Sequence, residues 1–197
     1  MISNKARFAA AINKFEEINS EDPNVEMEDG KAFPKEVLYA HRMADCLNEI
    51  APEASEALQL AVRCQHIRRW AISRQDFPIG IDGYNKWRNS LKKYHAELAG
   101  EILTEVGYDS DLIQRVQFLV QKRQLKIDPE VQLLEDVICL VFLRYYFLPF
   151  AQQHPEEKVL DIVQKTWKKM TPAGHELALK LALPESAQQL ITKALTT

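Results

Sequence analysis

Apolar residues recur every three to four positions along almost the whole chain, and no convincing run alternates apolar and polar side chains as a half-buried strand does. The spacing predicts helices throughout. Phe8, Ile12, Phe15 and Ile18 form one stripe, with Ser3 placed to cap the first helix. The run NSEDPNVEMEDGKAFP, residues 19–34, is acidic and rich in breakers and reads as a long exposed loop. A second helix starts near Pro34, ends by the stretch APEAS and buries Val37, Leu38, Met43 and Leu47. A third runs from about Ser55 to Ile72 along Leu58, Ala61, Val62 and Ile67.

Pro78, Gly80 and Gly83 then break the pattern, and a loop this long inside one domain is more often functional than idle. A fourth helix covers roughly 84–106, and Asp109 or Ser110 caps a fifth that reaches Lys122. Asp128 caps the sixth, with Pro129 as its first helical residue. That helix, 129–148, is apolar nearly all round and belongs at the centre of a core. Two or three amphipathic helices follow from Pro155, and Thr171–Pro172 reads as a cap between two of them. No repeat, low-complexity tract or linker interrupts residues 1–197. The pattern therefore implies one all-α domain, a bundle of about eight or nine helices with irregular loops at 19–34 and 73–83.

Composition narrows the class. The 46% hydrophobic and 27% charged content fits a soluble globular chain, and only six glycines argue against a turn-rich β architecture. The longest apolar run, VICLVFL at 137–143, is seven residues, whereas spanning a bilayer takes roughly 20. The charged N-terminal stretch does not read as a secretory signal. Cys46, Cys64 and Cys139 are far apart and unpaired in sequence, which implies a reducing, cytoplasmic setting and no zinc knuckle. Charge is unevenly spread. Residues 1–61 carry six basic and twelve acidic side chains, 62–95 carry eight and two, and 96–197 carry eleven and fourteen. The one basic segment favours anionic ligands, unless it is only a solvated helix face.

The same segment holds the candidate chemistry. His41, His66, His95 and Asp136 fall on helices two, three, four and six. If all four face one interior, they could hold one divalent ion, for which zinc, iron or manganese suits the donors. Each has a plainer reading: His41 as a helix histidine, His66 in a polar network with Arg69, His95 as a surface residue, Asp136 as a cap or an arginine partner. Arg69, three residues after His66, should share its face and would clamp a phosphate rather than a cation. Tyr84, Trp87 and Arg88 lie together on the next helix and, with Lys122, suit a phosphorylated ring compound or an unpaired nucleotide. RNA contact is a weaker option for a chain with a pI of about 6.0. Cys64 sits on another helix face from His66 and reads as core.

The order of His41, His66, His95 and Asp136 resembles the HD-domain phosphohydrolase pattern, an all-helical superfamily holding one or two divalent ions. The chain departs from it at the hallmark His-Asp pair, because Ile67 follows His66. Through KEVLYAHRM, QHIRRW, GYNKWR, KYHAE and LEDVICLVFL the chain also resembles an uncharacterised family, domain of unknown function 4202. The HD resemblance implies a degenerate metal-dependent hydrolase of small phosphorylated or nucleotide-like substrates. The alternatives are a non-catalytic helical module that binds an anionic ligand, or a helical interaction protein whose polar interior only fixes packing.

Overall fold

Helix α1 (Asn4–Ser20) carries the first apolar stripe, with Ala11 and Phe15 buried and Phe8 and Ile12 half-buried. The computed structural model describes residues 4–196, so Ser3, the expected cap, lies outside the described residues. The chain divides into two compact units, Met1–Arg123 and Gln124–Thr197, although composition marks no linker between them. Lys122, Gln124 and Lys126 around that boundary all take positive φ, near 55°, 57° and 78°.

After α1 the first unit holds a hairpin of β1 (Val25–Glu28) and β2 (Lys31–Pro34), followed by α2 (Lys35–Ile50) and α3 (Glu56–Cys64). Two single-turn 3₁₀ segments lead to the long α4 (Ile81–Glu105), and α5 (Ser110–Val120) closes the unit. Ser55 caps α3 through Leu58 N, and Asp109 caps α5 through Leu112 N. Met43, Leu47, Leu58, Leu60, Leu91, Leu103 and Leu119 are buried almost completely in this unit. Each such side chain contributes about 1.5–3 kcal/mol relative to exposure.

The second unit begins with α6 (Pro129–Val141), whose N-terminus Asp128 caps by accepting from the Glu130 and Val131 amides. The helix then widens into a π turn over Phe142–Tyr146 and continues as α7 (Phe147–Gln152). Pro149, which cannot donate to the carbonyl four residues back, lies three residues past that widened turn, inside α7. Helices α8 (Glu156–Trp167), α9 (Pro172–Leu179) and α10 (Glu185–Thr196) complete the unit. Gly174, on the first turn of α9, packs its Cα so close to Asp136 that an added Cβ would meet Oδ1 at 2.7 Å. No helix among the described residues is long and apolar enough to cross a membrane.

The fold is mostly helical, as the apolar spacing predicts, with three departures. The expected loop 19–34 contains the hairpin, in register Glu26 with Phe33 and Met27 with Ala32. Asp29 and Gly30 both take positive φ, 50° and 77°, which gives the tight two-residue turn of a hairpin. Its polar face, not its apolar one, turns inward: Val25 and Met27 are exposed, while Glu26 and Glu28 both pair with the buried Arg42 of α2. The third helix stops at Cys64 rather than Ile72. Arg68 is left-handed at φ 50°, a conformation no helix continues through, and its amide donates to Asn19 Oδ1 at 3.0 Å. The sixth helix, expected as one run to 148, is divided by the π turn.

Candidate anion-binding site

The end of α1 fixes two of the segments that build the site. Asn19 is buried and holds the left-handed Arg68, and Asp22, also buried, accepts the Glu36 amide at 3.1 Å through Oδ2. The second contact satisfies an otherwise open N–H in the first turn of α2. Glu36 and Tyr39, three residues apart on α2, then face the turn 65–69. The Tyr39 ring stacks on His66 at 4.2 Å, its hydroxyl donates to Gln65 Oε1 at 3.0 Å, and Glu36 Oε2 lies 3.3 Å from His66 Nδ1. Glu36 Oε1 is 4.0 Å from Arg69 Nε.

Helix α4 supplies the facing wall. Arg88, Leu91, Lys92 and His95 follow the i, i+3, i+4, i+7 spacing of one helical face. These four, with Gln65, His66, Arg69 and Lys122, line a hollow of about 280 Å³ including its mouth. The enclosed part is small, without room for a whole nucleotide. Four cationic side chains and two imidazoles thus surround this space. His95 is the most deeply set, 2% exposed, and its Nδ1 donates to the Ile67 carbonyl at 2.7 Å. The turn that ends α3 at Cys64 is what aims that carbonyl at the ring.

Burial, reinforced by the surrounding cations, determines the protonation states. Burial first, then Arg69, Lys122 and Arg88, holds His66 well below its usual range. Burial and then His66 push His95 down to about 3, against the opposing pull of the Ile67 hydrogen bond. Both imidazoles are therefore neutral at pH 7. Glu36 moves the other way: burial raises its carboxyl to about 7 although Arg69 opposes the rise. Burial also lifts the Cys64 thiol to about 12, so this cysteine is an inert core residue.

Of the residues singled out by sequence, His66, His95, Arg69, Arg88 and Lys122 come together here. Tyr84 and Trp87 stand beside the hollow rather than in its lining. Arg69 lies over the Trp87 ring at 4.8 Å and Arg88 over Tyr84 at 5.8 Å, while Trp87 Nε1 donates to Ile72 O at 2.9 Å. Trp87 thus fastens α4 to the 69–72 segment, and Tyr84 remains 40% exposed. His41 turns away to pair with Glu16 of α1 and is 41% exposed. Asp136 belongs to the second unit, where Oδ1 accepts the Thr171 amide at 2.9 Å and Oδ2 the Thr171 hydroxyl at 2.6 Å. The four expected ligands thus do not form one set: His66 and His95 share the hollow, while His41 and Asp136 are each engaged in other networks. Among the described residues no group of three or more His, Cys, Asp or Glu side chains could hold a metal ion. The residues at the hollow do not fit a divalent cation: two neutral imidazoles stand there among four positive groups.

Sequence reasoning passed over Glu36, Gln65 and Lys92. Glu36 could have been found, since it continues the buried α2 face of Ala40, Met43 and Leu47 by one turn. Lys92 is on the same α4 face as Arg88 and His95, one turn after Arg88. Gln65 carried no signal, because it faces the site only through the early end of α3.

No curated protein and no solved structure is significantly similar to the chain. A family model described as domain of unknown function (DUF4202) matches residues 9–191, nearly the whole length, and the chain belongs to that family.

Proposed function

We propose that the first unit recognises the anionic head of a small phosphorylated or nucleotide-like molecule, acting as a binding module. The observation that carries this is the convergence of Arg69, Arg88, Lys92 and Lys122 on one small hollow, beside two neutral imidazoles. Arg69 and Arg88 offer planar forks suited to phosphate oxygens, and Lys92 and Lys122 add point charge. Tyr84, exposed at the mouth beside Arg88, presents a ring face to whatever the phosphate is attached to. RNA is a weaker candidate, because the basic groups meet at one small hollow.

Calorimetric titration with inorganic phosphate, phosphate monoesters and nucleotides, at constant ionic strength, tests the proposal. Binding should fall at least about tenfold in Arg69→Gln, as a charge-assisted hydrogen bond is lost. No heat and no thermal stabilisation by any of these anions would refute it. The metal-dependent hydrolase reading gains no support from this lining, whose cationic groups do not suit a divalent ion. Uptake of one zinc or manganese equivalent, lost in His66→Ala and in His95→Ala, would favour it over anion binding.

A further inference from the structure

The lining of the hollow is rich in donors and poor in acceptors. Arg69, Arg88, Lys92 and Lys122 can only donate, and the Gln65 carbonyl oxygen already accepts from Tyr39. The two neutral imidazoles each bring one acceptor nitrogen, and for His95 the structure fixes which. The His95 Nδ1 faces the Ile67 carbonyl, which can only accept, so the proton is on Nδ1 and Nε2 carries a lone pair. Nε2 is buried and has no hydrogen-bond partner in the protein. Such an atom is costly unless something in the hollow donates to it.

The ring cannot escape by taking a second proton. Burial opposes it first, then His66, whose ring centroid is 6.0 Å away, and Arg69, while the Ile67 hydrogen bond and Glu36 pull the other way. Protonation is accordingly held down to about pH 3. A ligand in this hollow therefore brings oxyanion charge to a cationic lining and offers a hydrogen to His95.

We propose that the hollow selects oxyanions that carry a proton at neutral pH, namely hydrogen phosphate and hydrogen arsenate, over sulfate, because the Nε2 lone pair of His95 requires a hydrogen-bond donor from the ligand. Hydrogen phosphate and sulfate share charge, tetrahedral shape and nearly the same size. They differ in one proton. Sulfate would set an oxygen lone pair against the Nε2 lone pair and leave a buried acceptor unsatisfied, a loss of about tenfold or more in affinity. Selection rests on the anion-binding role proposed above and specifies its ligand class.

Competitive calorimetry at pH 7.5 and constant ionic strength, with phosphate, arsenate and sulfate on the full chain, decides the matter. Phosphate and arsenate should bind alike, with sulfate at least about tenfold weaker. In His95→Gln, whose amide can donate, the ratio should narrow. If that variant fails to fold, the wild-type ratio still stands as the test. Sulfate binding as well as phosphate would overturn the selection while leaving the anion site in place. Failure of all three anions to bind would overturn both.

Discussion

Glu36 offers the sharpest test of the site's electrostatics. The carboxyl is 6% exposed, and burial holds it at about 7 when folded against 4.5 as its ordinary value. Between those two pH values the folded chain keeps a proton that the unfolded chain has released. Stability from this group is therefore complete below about pH 4.5 and is lost as pH rises to about 7, at about 1.4 kcal/mol per pH unit. The whole loss is about 3 kcal/mol. Glu36→Gln keeps the shape and the backbone amide that Asp22 accepts, and removes the titration. Urea unfolding followed by tryptophan fluorescence, run from pH 4.5 to 8 on both proteins, isolates the term as their difference. The variant should gain on the wild type steadily through the window and stay level above it. Parallel stability curves would refute the assignment of a buried, proton-holding carboxyl between His66 and Arg69.

Other consequences are local. Asp136→Ala removes both bonds to Thr171 from a buried position and should cost about 2–4 kcal/mol in urea unfolding; a change under about 0.5 kcal/mol would contradict that role. His41→Ala should shift stability by less than about 1 kcal/mol, since its pair with Glu16 is exposed, and should leave phosphate titrations unchanged. Gly83→Ala would drive a Cβ to 1.8 Å from the Pro78 carbonyl, so the 78–83 turn must move. Faster proteolysis of that segment, with the rest of the chain intact, is the expected readout.

The helices were legible because their apolar periods and caps agree: Ser55, Asp109, Asp128 and Thr171 all cap where sequence places a start. What was hidden depends on contacts distant in sequence. The hairpin turns glutamates inward to Arg42, so its pattern resembles an acidic loop. The early end of α3 depends on Asn19, 49 residues before Arg68. That turn still leaves His66 and Arg69 on one hollow, though not through the helical spacing that suggested it. Asp136 was rightly read as a carboxylate in need of a partner, but a threonine near in space satisfies it.

The central claim is that one hollow holds an anion against His66 and His95. Long-range ¹H–¹⁵N spectra of the imidazoles during a phosphate titration test this most directly. The account predicts a neutral, Nδ1-protonated His95 whose Nε2 signal moves on saturation together with that of His66, while His41 stays fixed. A spectrum in which His95 carries its proton on Nε2, or in which phosphate moves His41 as much as His95, would contradict it.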